Sequence, residues 1–450
     1  MSRPAAGPVL ALAALGTIGG LLWRELHPGG RAPAPLVVAA TLAEAARHPD
    51  RPQAMEPLLE ALRSGLQVHR QLLVLFADEA GMQGTRREAA LAVGHRLHHE
   101  ERDLTHQLNG ALSRLAATPS PERSAVLPAL LEWMDTDPDL LEPDRLAFRD
   151  PLRVMKRALA HDTSPEGADL KARLAAHLAE VDRVEAWVEV EYRQAQGGRR
   201  PRWGAYLAEL QKRIPLDQLL GTPGIPAPAP SPGAAEGEIS GAAFPEKVLV
   251  LSFDDGPHRI YTEEIKALLQ AEKIPALFFE VGRNLGTVDA SGQARLGPMA
   301  TFTEDLVKAG FVVGNHSYTH AQLSKETGAP LDLEIHETDQ LLRAIPGAHS
   351  RLFRFPYGAR TPVQMAALQP YHLRSVLWTI DSLDWADPVP SSVADRVLKA
   401  VAQEKRGILL FHDIHDRAGK VLPMILPKLR AEGYVFAGLD SDGRLVMPPQ

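Results

Sequence analysis

The sequence predicts two structural classes in one chain, an all-α helical domain followed by a small α/β barrel. From about residue 55 to residue 213, apolar residues recur three and four positions apart, as in Leu58, Leu62 and Leu66, which is the period of an amphipathic helix. After Pro245, short apolar runs alternate with helical stretches, a pattern typical of a parallel sheet. About seven such units in roughly 200 residues favour a small barrel over an open sheet.

The barrel prediction rests on short runs that are rich in apolar residues. We expect strands at Lys247–Leu251, Ala276–Val281, Phe311–Val313, Leu352–Phe355, Ser375–Thr379, Ile408–Phe411 and Tyr434–Ala437. The helical stretches between them include Thr262–Ala271, Asp332–Leu342 and Ser392–Gln403. In barrels of this kind the catalytic groups lie where the strands end.

The first 40 residues predict export. A fifteen-residue apolar run from Val9 to Trp23 is more typical of a signal-peptide core than of a full membrane span, which usually needs ~20 apolar residues. Neither candidate cleavage site, Ala32–Ala34 or Val38–Ala40, decides between removal of the segment and its retention as an anchor and tether. We expect the protein in the cell envelope, in the periplasm or on the outer face of the inner membrane. A frayed apolar N-terminus is the alternative.

Composition divides the rest of the chain into three parts. Residues 41–220 predict a helical bundle of unknown role. Residues 221–245, rich in Gly, Pro and Ala, predict a linker, and residues 246–450 predict the catalytic domain.

One histidine cluster stands out in the helical region. On a single predicted helix, next to Glu100 and Glu101, lie His95, His98, His99 and His106. Spacings of three and four put some of these side chains on one face, as metal ligands require. A solvated polar face is the simpler interpretation, because charged residues surround the cluster and no second ligand helix is evident.

Composition excludes several classes of function. The chain has no cysteine, which rules out disulfides, thiolate catalysis and cysteine-containing zinc sites. Any metal must therefore be held by histidines and carboxylates. The formal net charge of -7 gives no reason to expect a nucleic-acid partner, and no nucleic-acid-binding motif is present.

Two polar clusters at predicted strand ends can form a metal site. Asp254 and Asp255 lie on a tight turn after the first strand, and a purely structural turn also explains them. After the third strand come His316 and His320, which on a helical turn can hold one ion. Such a pair alone is most often two surface histidines. Beside an acidic strand end, however, two histidines and one carboxylate make a site with a position left open for water.

Three further strand ends carry groups that fit acyl-transfer chemistry. Arg354 can pair with an acidic residue while turn amides near Tyr357 face an oxyanion, or it is incidental to a proline-initiated turn. Trp385 can form one wall of an apolar pocket, or it belongs to the core. His412 is an available general acid whose tautomer and pKa a carboxylate such as Asp384 can control.

Residues from about 246 to 440 resemble the polysaccharide deacetylase family, the metal-dependent carbohydrate esterases that include chitin, chitooligosaccharide and peptidoglycan N-deacetylases. Its five motifs occur intact and in order: SFDDGP at 252–257, HSYTH at 316–320, RFPYG at 354–358, DSLDW at 381–385 and LFHD at 410–413. The resemblance implies a deformed (β/α) barrel, in agreement with the strand count. It covers less than half of the chain and does not extend to the helical region.

The resemblance implies a role for each motif residue. Asp255, His316 and His320 would bind the metal, usually zinc. Asp254 would be the general base that takes a proton from the attacking water, and His412 would protonate the departing amine.

The remaining motif residues would support these groups. Arg354 would orient Asp254, and Asp384 would tune His412. The backbone N–H of Tyr357 would help to stabilise the oxyanion. The residues expected to line the substrate pocket are Trp385, Leu410 and Pro356.

The sequence thus predicts a hydrolase that uses a divalent metal, most often zinc, to remove N-acetyl groups from a GlcNAc-containing glycan such as peptidoglycan. Its partner would be an acetylated polysaccharide and not nucleic acid, with membrane contact only through an N-terminal anchor. Residues 284–300, rich in Gly and small polar residues, predict a loop that bears on substrate choice. The alternatives are a glycan-binding envelope scaffold without turnover and a related metal-dependent amidase or O-acetyl esterase.

Overall fold

The chain divides into two compact units. The computed structural model describes residues 55–77, 82–194, 200–226 and 238–448. One unit comprises the described residues of Met1–Gln71 and His99–Trp187, and the other those of Leu72–His98 and Val188–Gln450. The second unit thus includes stretches of the predicted helical bundle together with the sheet, and the domain boundaries drawn from the sequence stay predictions. The predicted export segment, residues 1–40, lies outside the described residues.

The N-terminal region is helical, as predicted. Its helices are α1 (Glu56–Phe76), α2 (Gly84–Ala117), α3 (Pro121–Thr136), α4 (Arg149–Ala158) and α5 (Pro165–Arg193), with a 3₁₀ segment at Glu142–Phe148. The first unit has its own apolar core, which includes Leu112, Leu130 and Trp133. Within the described residues, no helix combines the length and the apolar character that a membrane span needs.

The second unit contains the sheet and the helices that cover it. Before the sheet lie α6 (Pro201–Arg213) and α7 (Leu216–Leu220). The strands are β1 (Val248–Asp254), β2 (Ala276–Glu280), β3 (Gly286–Val288), β4 (Ala294–Leu296), β5 (Val312–Asn315), β6 (Leu352–Phe353), β7 (Arg374–Ser375), β8 (Ile380–Asp381), β9 (Gly407–His412), β10 (Val435–Leu439) and β11 (Leu445–Val446). The helices among them are α8 (Tyr261–Glu272), α9 (Gly282–Leu285), α10 (Ala300–Lys308), α11 (Gly328–Ala344), α12 (Pro362–Ala367), α13 (Pro390–Glu404) and α14 (Arg417–Ala431).

Seven parallel strands form a half-barrel, which confirms the predicted barrel of about seven strands, in the order β7-β6-β5-β2-β1-β9-β8. β1 is central, because it pairs in parallel with β2 and β9 and, through its first residues, with β10. All seven residues of β1 are buried, as expected for a parallel strand covered on both faces. The carboxyl ends of these strands lie at one edge, where the motif residues follow them.

The predicted strand Ser375–Thr379 is wrong. The chain instead forms two strands of two residues each: β7 includes Ser375, and β8 begins after Thr379. Between them, Val376 forms only an isolated bridge with Ile239. The reason is Arg354, whose buried guanidinium donates to the carbonyls of Val376 and Leu377, each at 3.1 Å. Those carbonyls face a charged side chain and so do not continue a strand ladder.

The predicted loop at residues 284–300 is also wrong, because it contains the end of α9 and the antiparallel hairpin β3–β4. The turn of this hairpin has a local cause. The Asp289 carboxylate accepts hydrogen bonds from the backbone N–H groups of Ser291 and Gln293, at 2.9 and 3.1 Å. Gly292 supplies the positive φ of 80° that the turn needs.

Candidate active site

The adjacent carboxylates at the end of β1 reach the same site because the backbone turns between them. Successive strand residues point to opposite faces of a sheet, which would separate Asp254 from Asp255. Asp255 has a φ of 78°, in the left-handed region that aspartate tolerates better than most residues. Its N–H donates to the carbonyl of Phe279 at 3.1 Å, and the side chain of Asn284 donates to its carbonyl, also at 3.1 Å.

The two motif histidines lie on a loop after β5, not on the helical turn that their spacing suggested. Ser317 and His320 both have φ of 64°, whereas a regular right-handed helix has φ near about −60°. Side chains of neighbouring residues hold the loop in place: the Asn315 side chain accepts a hydrogen bond from the N–H of Ser317 at 2.8 Å. The Glu334 carboxylate accepts from two further loop amides, at 2.9 and 3.0 Å. Polar side chains of neighbouring elements thus fix a conformation that spacing alone cannot indicate.

Asp255, His316 and His320 bring their ligand atoms together. Oδ1 of Asp255 lies 3.0 Å from Nε2 of His320 and 3.5 Å from Nε2 of His316. A tetrahedral zinc ion with bonds of ~2.0–2.1 Å separates its ligand atoms by about 3.3 Å. One oxygen and two nitrogens, all buried and within 4.8 Å of one another, therefore fit a small divalent ion.

Outer partners orient both histidine rings. Nδ1–H of His316 donates to the carbonyl of Arg354 at 2.8 Å, and Nδ1 of His320 lies 2.9 Å from the hydroxyl of Tyr357. Such contacts fix the tautomer and leave Nε2 for a metal. Burial acts to raise the pKa of Asp255, but the charge of His320 and the histidine hydrogen bonds outweigh it and hold that pKa well below its usual range.

Asp254 is held by Arg354 from the opposite side. Nη1 of the completely buried Arg354 donates to Oδ1 of Asp254 at 2.6 Å and lies 2.9 Å from the hydroxyl of Ser252. Burial lowers the pKa of Arg354 while the charge of Asp254 opposes that effect. Oδ2 of Asp254 faces the histidine pair, 3.6 Å from Nε2 of His316.

Replacing Arg354 with Met should lower the free energy of unfolding by about 3–5 kcal/mol, because it leaves a buried carboxylate without its partner. Urea unfolding followed by circular dichroism measures this. The matched control is Arg351→Met, because Arg351 and Asp442 form a half-exposed pair at 3.7 Å whose loss should cost less than about 1 kcal/mol. Equal losses in the two variants would contradict a structural role for the buried pair.

His412 and Asp384 form a second buried pair at the end of β9. Nδ1 of His412 lies 2.8 Å from Oδ1 of Asp384, and the backbone N–H of His412 donates to Oδ2 at 3.0 Å. The Ser382 hydroxyl donates to the same carboxylate at 3.0 Å. Burial acts to lower the pKa of His412, but the negative charge of Asp384 outweighs it and raises the pKa to about 9.

The predicted pocket residues lie beside these groups. Trp385, Leu410 and Pro356 are all buried, as is Tyr357. Tyr357 has a φ of 61°, in a region that a bulky residue rarely adopts. The surrounding contacts hold the backbone in this conformation, and one of them is the contact between the Tyr357 hydroxyl and Nδ1 of His320.

The sequence did not indicate that two residues of the helical region belong to the site. The structure buries His95 and His98 of α2 against the strand ends, so the polar-face interpretation is wrong for both. Nε2 of His98 lies 3.1 Å from Oδ2 of Asp255, and the His95 ring packs between those of Tyr357 and Trp385. Their spacing of three residues was the only signal in the sequence. His99 and His106 belong to the other unit.

The half-barrel carries a candidate His–Asp metal centre and an Asp–His pair at its strand ends. This combination indicates a hydrolase, and the comparisons with known proteins agree. The model of the polysaccharide deacetylase family matches residues 241–376. A peptidoglycan-N-acetylglucosamine deacetylase of Bacillus cereus is 31% identical over 208 residues, which cover 42% of this chain and 68% of that protein. The chain belongs to the polysaccharide deacetylase family, and the predicted hydrolase of non-peptide amide bonds is confirmed.

Further similarities cover the same part of the chain. A chitooligosaccharide deacetylase of Sinorhizobium fredii is 28% identical over 217 residues, or 45% of this chain and 94% of that protein. A solved family 4 carbohydrate esterase from Streptomyces lividans, in complex with acetate, is 26% identical with a TM-score of 0.39. That comparison covers 48% of this chain and all of the esterase.

Proposed function

We propose that this protein removes N-acetyl groups from a GlcNAc-containing glycan of the cell envelope, such as peptidoglycan, with zinc as its metal. The observation that carries the proposal is the meeting of residues from five motifs in one buried site. Asp255 lies 3.0 Å from His320, Asp254 lies 2.6 Å from Arg354, and His412 lies 2.8 Å from Asp384. The named activities of the relatives support the choice of an acetylated glycan.

The metal would be held by Asp255, His316 and His320. When bound, a zinc ion polarises a carbonyl group and lowers the pKa of water to ~7. The donor set fits, because partners on the protein orient both histidine rings and the three ligand atoms are buried close together. The cysteine-free sequence offers histidine and carboxylate ligands, which suit zinc among other divalent ions.

Two charged side chains would move the protons of the reaction. Asp254, with Oδ1 fixed by Arg354, accepts the proton of the attacking water at Oδ2. His412 is protonated at neutral pH, since its pKa is raised to about 9 by Asp384 against the effect of burial. It therefore has a proton to donate to the departing amine, which is a poor leaving group otherwise.

The remaining motif residues would bind the acetyl group. The backbone N–H of Tyr357 would stabilise the developing oxyanion, as preorganised donors do in acyl transfer. Trp385, Leu410 and Pro356 would line the pocket for the acetyl methyl group.

The test is acetate release by the purified full chain from chitotetraose and from peptidoglycan. We expect turnover that stops when a chelator removes the metal and resumes when zinc is added. Tight glycan binding that a chelator does not affect, with no acetate released, would instead favour the scaffold alternative. Turnover confined to a small amide or to an O-acetyl ester such as p-nitrophenyl acetate would favour the related amidase or esterase.

Asp255→Ala should weaken zinc binding by more than the ~10–100-fold that loss of an outer-shell partner costs, because it removes a ligand outright. Competition with a fluorescent zinc chelator measures the affinity. Asp387→Ala is the matched control, since Asp387 pairs with Arg396 at 2.8 Å outside the metal cluster. Unchanged affinity in Asp255→Ala would remove this residue from the ligand set.

We also propose that the protein is exported through residues 1–40 and acts in the cell envelope. The relatives named for peptidoglycan and chitooligosaccharide support an envelope glycan as the substrate. Sequencing the N-terminus of the protein purified from the envelope fraction tests both export and cleavage.

A further inference from the structure

The first half of α2 contributes a histidine to the catalytic site of the second unit. Nε2 of His98 lies 3.1 Å from Oδ2 of Asp255, and neither side chain is more than 6% exposed. The centre of the His98 ring lies 5.3 Å from that of Trp385 and 5.2 Å from that of His412. His98 thus packs at once against a metal ligand, the wall of the acetyl pocket and the general acid.

One helical turn earlier, α2 packs directly on the pocket wall. A Cβ atom at Gly94 would lie 2.8 Å from the ring of Phe76 and 2.9 Å from that of Trp385, so only glycine fits without a shift of these rings. The centre of the His95 ring lies 5.5 Å from that of Trp385 and 5.8 Å from that of Tyr357. These contacts place the helix directly against both aromatic rings.

The chain after α7 fastens this part of the helix. The N–H of Ile225 donates to the carbonyl of Ala92 at 2.7 Å, and the carbonyl of Ile225 lies 3.2 Å from Nδ1 of His95. Arg96 donates to the carbonyl of Pro223 at 2.7 Å. We call residues 90–98 the cover segment.

The catalytic groups beside the cover segment are deeply buried. Asp254, Asp255 and Trp385 are 2–3% exposed, and Tyr357 and His412 are 6–7% exposed. An acetamide on a sugar ring has to reach groups that are covered to this extent.

We propose that His98 occupies the place of the scissile acetamide, so that the cover segment keeps the active site closed until a substrate displaces it. The inference rests on the proposed function, because it takes the reacting group to be an acetamide. Ligand atoms of His98, Asp255 and His412 lie within 4.8 Å of one another. The acetamide has to enter that same gap, with its carbonyl beside the metal ligands and its nitrogen about 3 Å from the general acid.

This arrangement makes substrate binding depend on an equilibrium between closed and open forms. Opening breaks the contact between His98 and the Asp255 carboxylate and separates the helix from Trp385. For a ligand that binds only the open form, the apparent affinity is the intrinsic affinity multiplied by the fraction of molecules that are open. Removing the His98 side chain should raise that fraction.

The test uses the zinc-loaded full chain and acetohydroxamate, a small chelating analogue of the acetyl group, titrated by calorimetry. We expect His98→Ala to bind acetohydroxamate roughly tenfold more tightly, because a hydrogen bond to a charged group no longer favours the closed form. Removal of zinc by a chelator should become faster for the same reason. His99→Ala is the matched control, as the ring of His99 lies 3.8 Å from Asp103 instead, and it should change neither quantity.

Hydrogen exchange gives a second measurement, which uses only the wild-type chain and therefore does not depend on whether a variant folds. Acetohydroxamate should speed exchange in peptides that cover residues 90–98, and the absence of such an increase would overturn the proposal.

Weaker acetohydroxamate binding by His98→Ala, restored in His98→Gln, would also overturn the proposal, because His98 would then position Asp255. An equal affinity in His98→Ala and wild type would also count against it. Failure of the proposed function looks different: no glycan releases acetate in wild type or His98→Ala, while the variant still binds acetohydroxamate more tightly.

Discussion

Replacing Asp254 with Asn should lower kcat/KM for acetate release by roughly 10²–10⁴-fold, the range that a general base contributes, while zinc stays bound. The reason is that the two adjacent carboxylates have different proposed roles, Asp255 as a metal ligand and Asp254 as the general base. Asp255 faces His316 and His320, whereas Asp254 pairs through Oδ1 with Arg354. Asparagine keeps the shape of the side chain and removes only its ability to accept a proton.

Zinc content by mass spectrometry and initial rates on chitotetraose test this result together. The control is Asp387→Asn, the same substitution in the nearby ion pair with Arg396 at 2.8 Å, which should leave the rate unchanged. Full activity in Asp254→Asn would reject Asp254 as the base. Loss of zinc in that variant would instead make Asp254 a metal ligand.

The sequence could predict which motif residues meet, because the carboxyl ends of parallel strands lie at one edge of a barrel. Asp254 ends β1 and His412 ends β9, and these two strands pair directly with Asp254 opposite His412. The strand count and the order of the motifs were therefore enough to predict that Asp254, Arg354 and His412 lie close together.

Local pattern could not predict the features that depend on distant partners. The period of α2 places His98 on a polar face, but its contact lies 157 residues away in Asp255. Likewise, apolar residues at Ser375–Thr379 favour a strand, and only the guanidinium of Arg354, which binds the Val376 carbonyl, decides otherwise. In both cases a buried polar group that must find a partner outweighs the local preference.

Replacing Asp384 with Asn should shift the alkaline limb of the pH profile of kcat/KM toward lower pH. His412 acts as an acid only while protonated, so the rate falls as pH rises through its pKa. In the wild type, burial acts to lower that pKa, but the charge of Asp384 prevails and raises it to about 9. Without that charge burial dominates, the pKa drops, and the loss of activity is greatest on the alkaline side and smaller as pH falls.

Initial rates between about pH 6 and about pH 10 show whether the limb moves. The hydrogen bond from the Ser382 hydroxyl to Asp384 provides the graded control. Ser382→Ala keeps the carboxylate charge, and the limb should therefore move less than in Asp384→Asn. A uniform drop in rate with an unmoved limb would mean that Asp384 only orients the ring of His412. A limb that moves to higher pH would exclude His412 as the acid, because loss of a neighbouring negative charge cannot raise the pKa of an imidazolium.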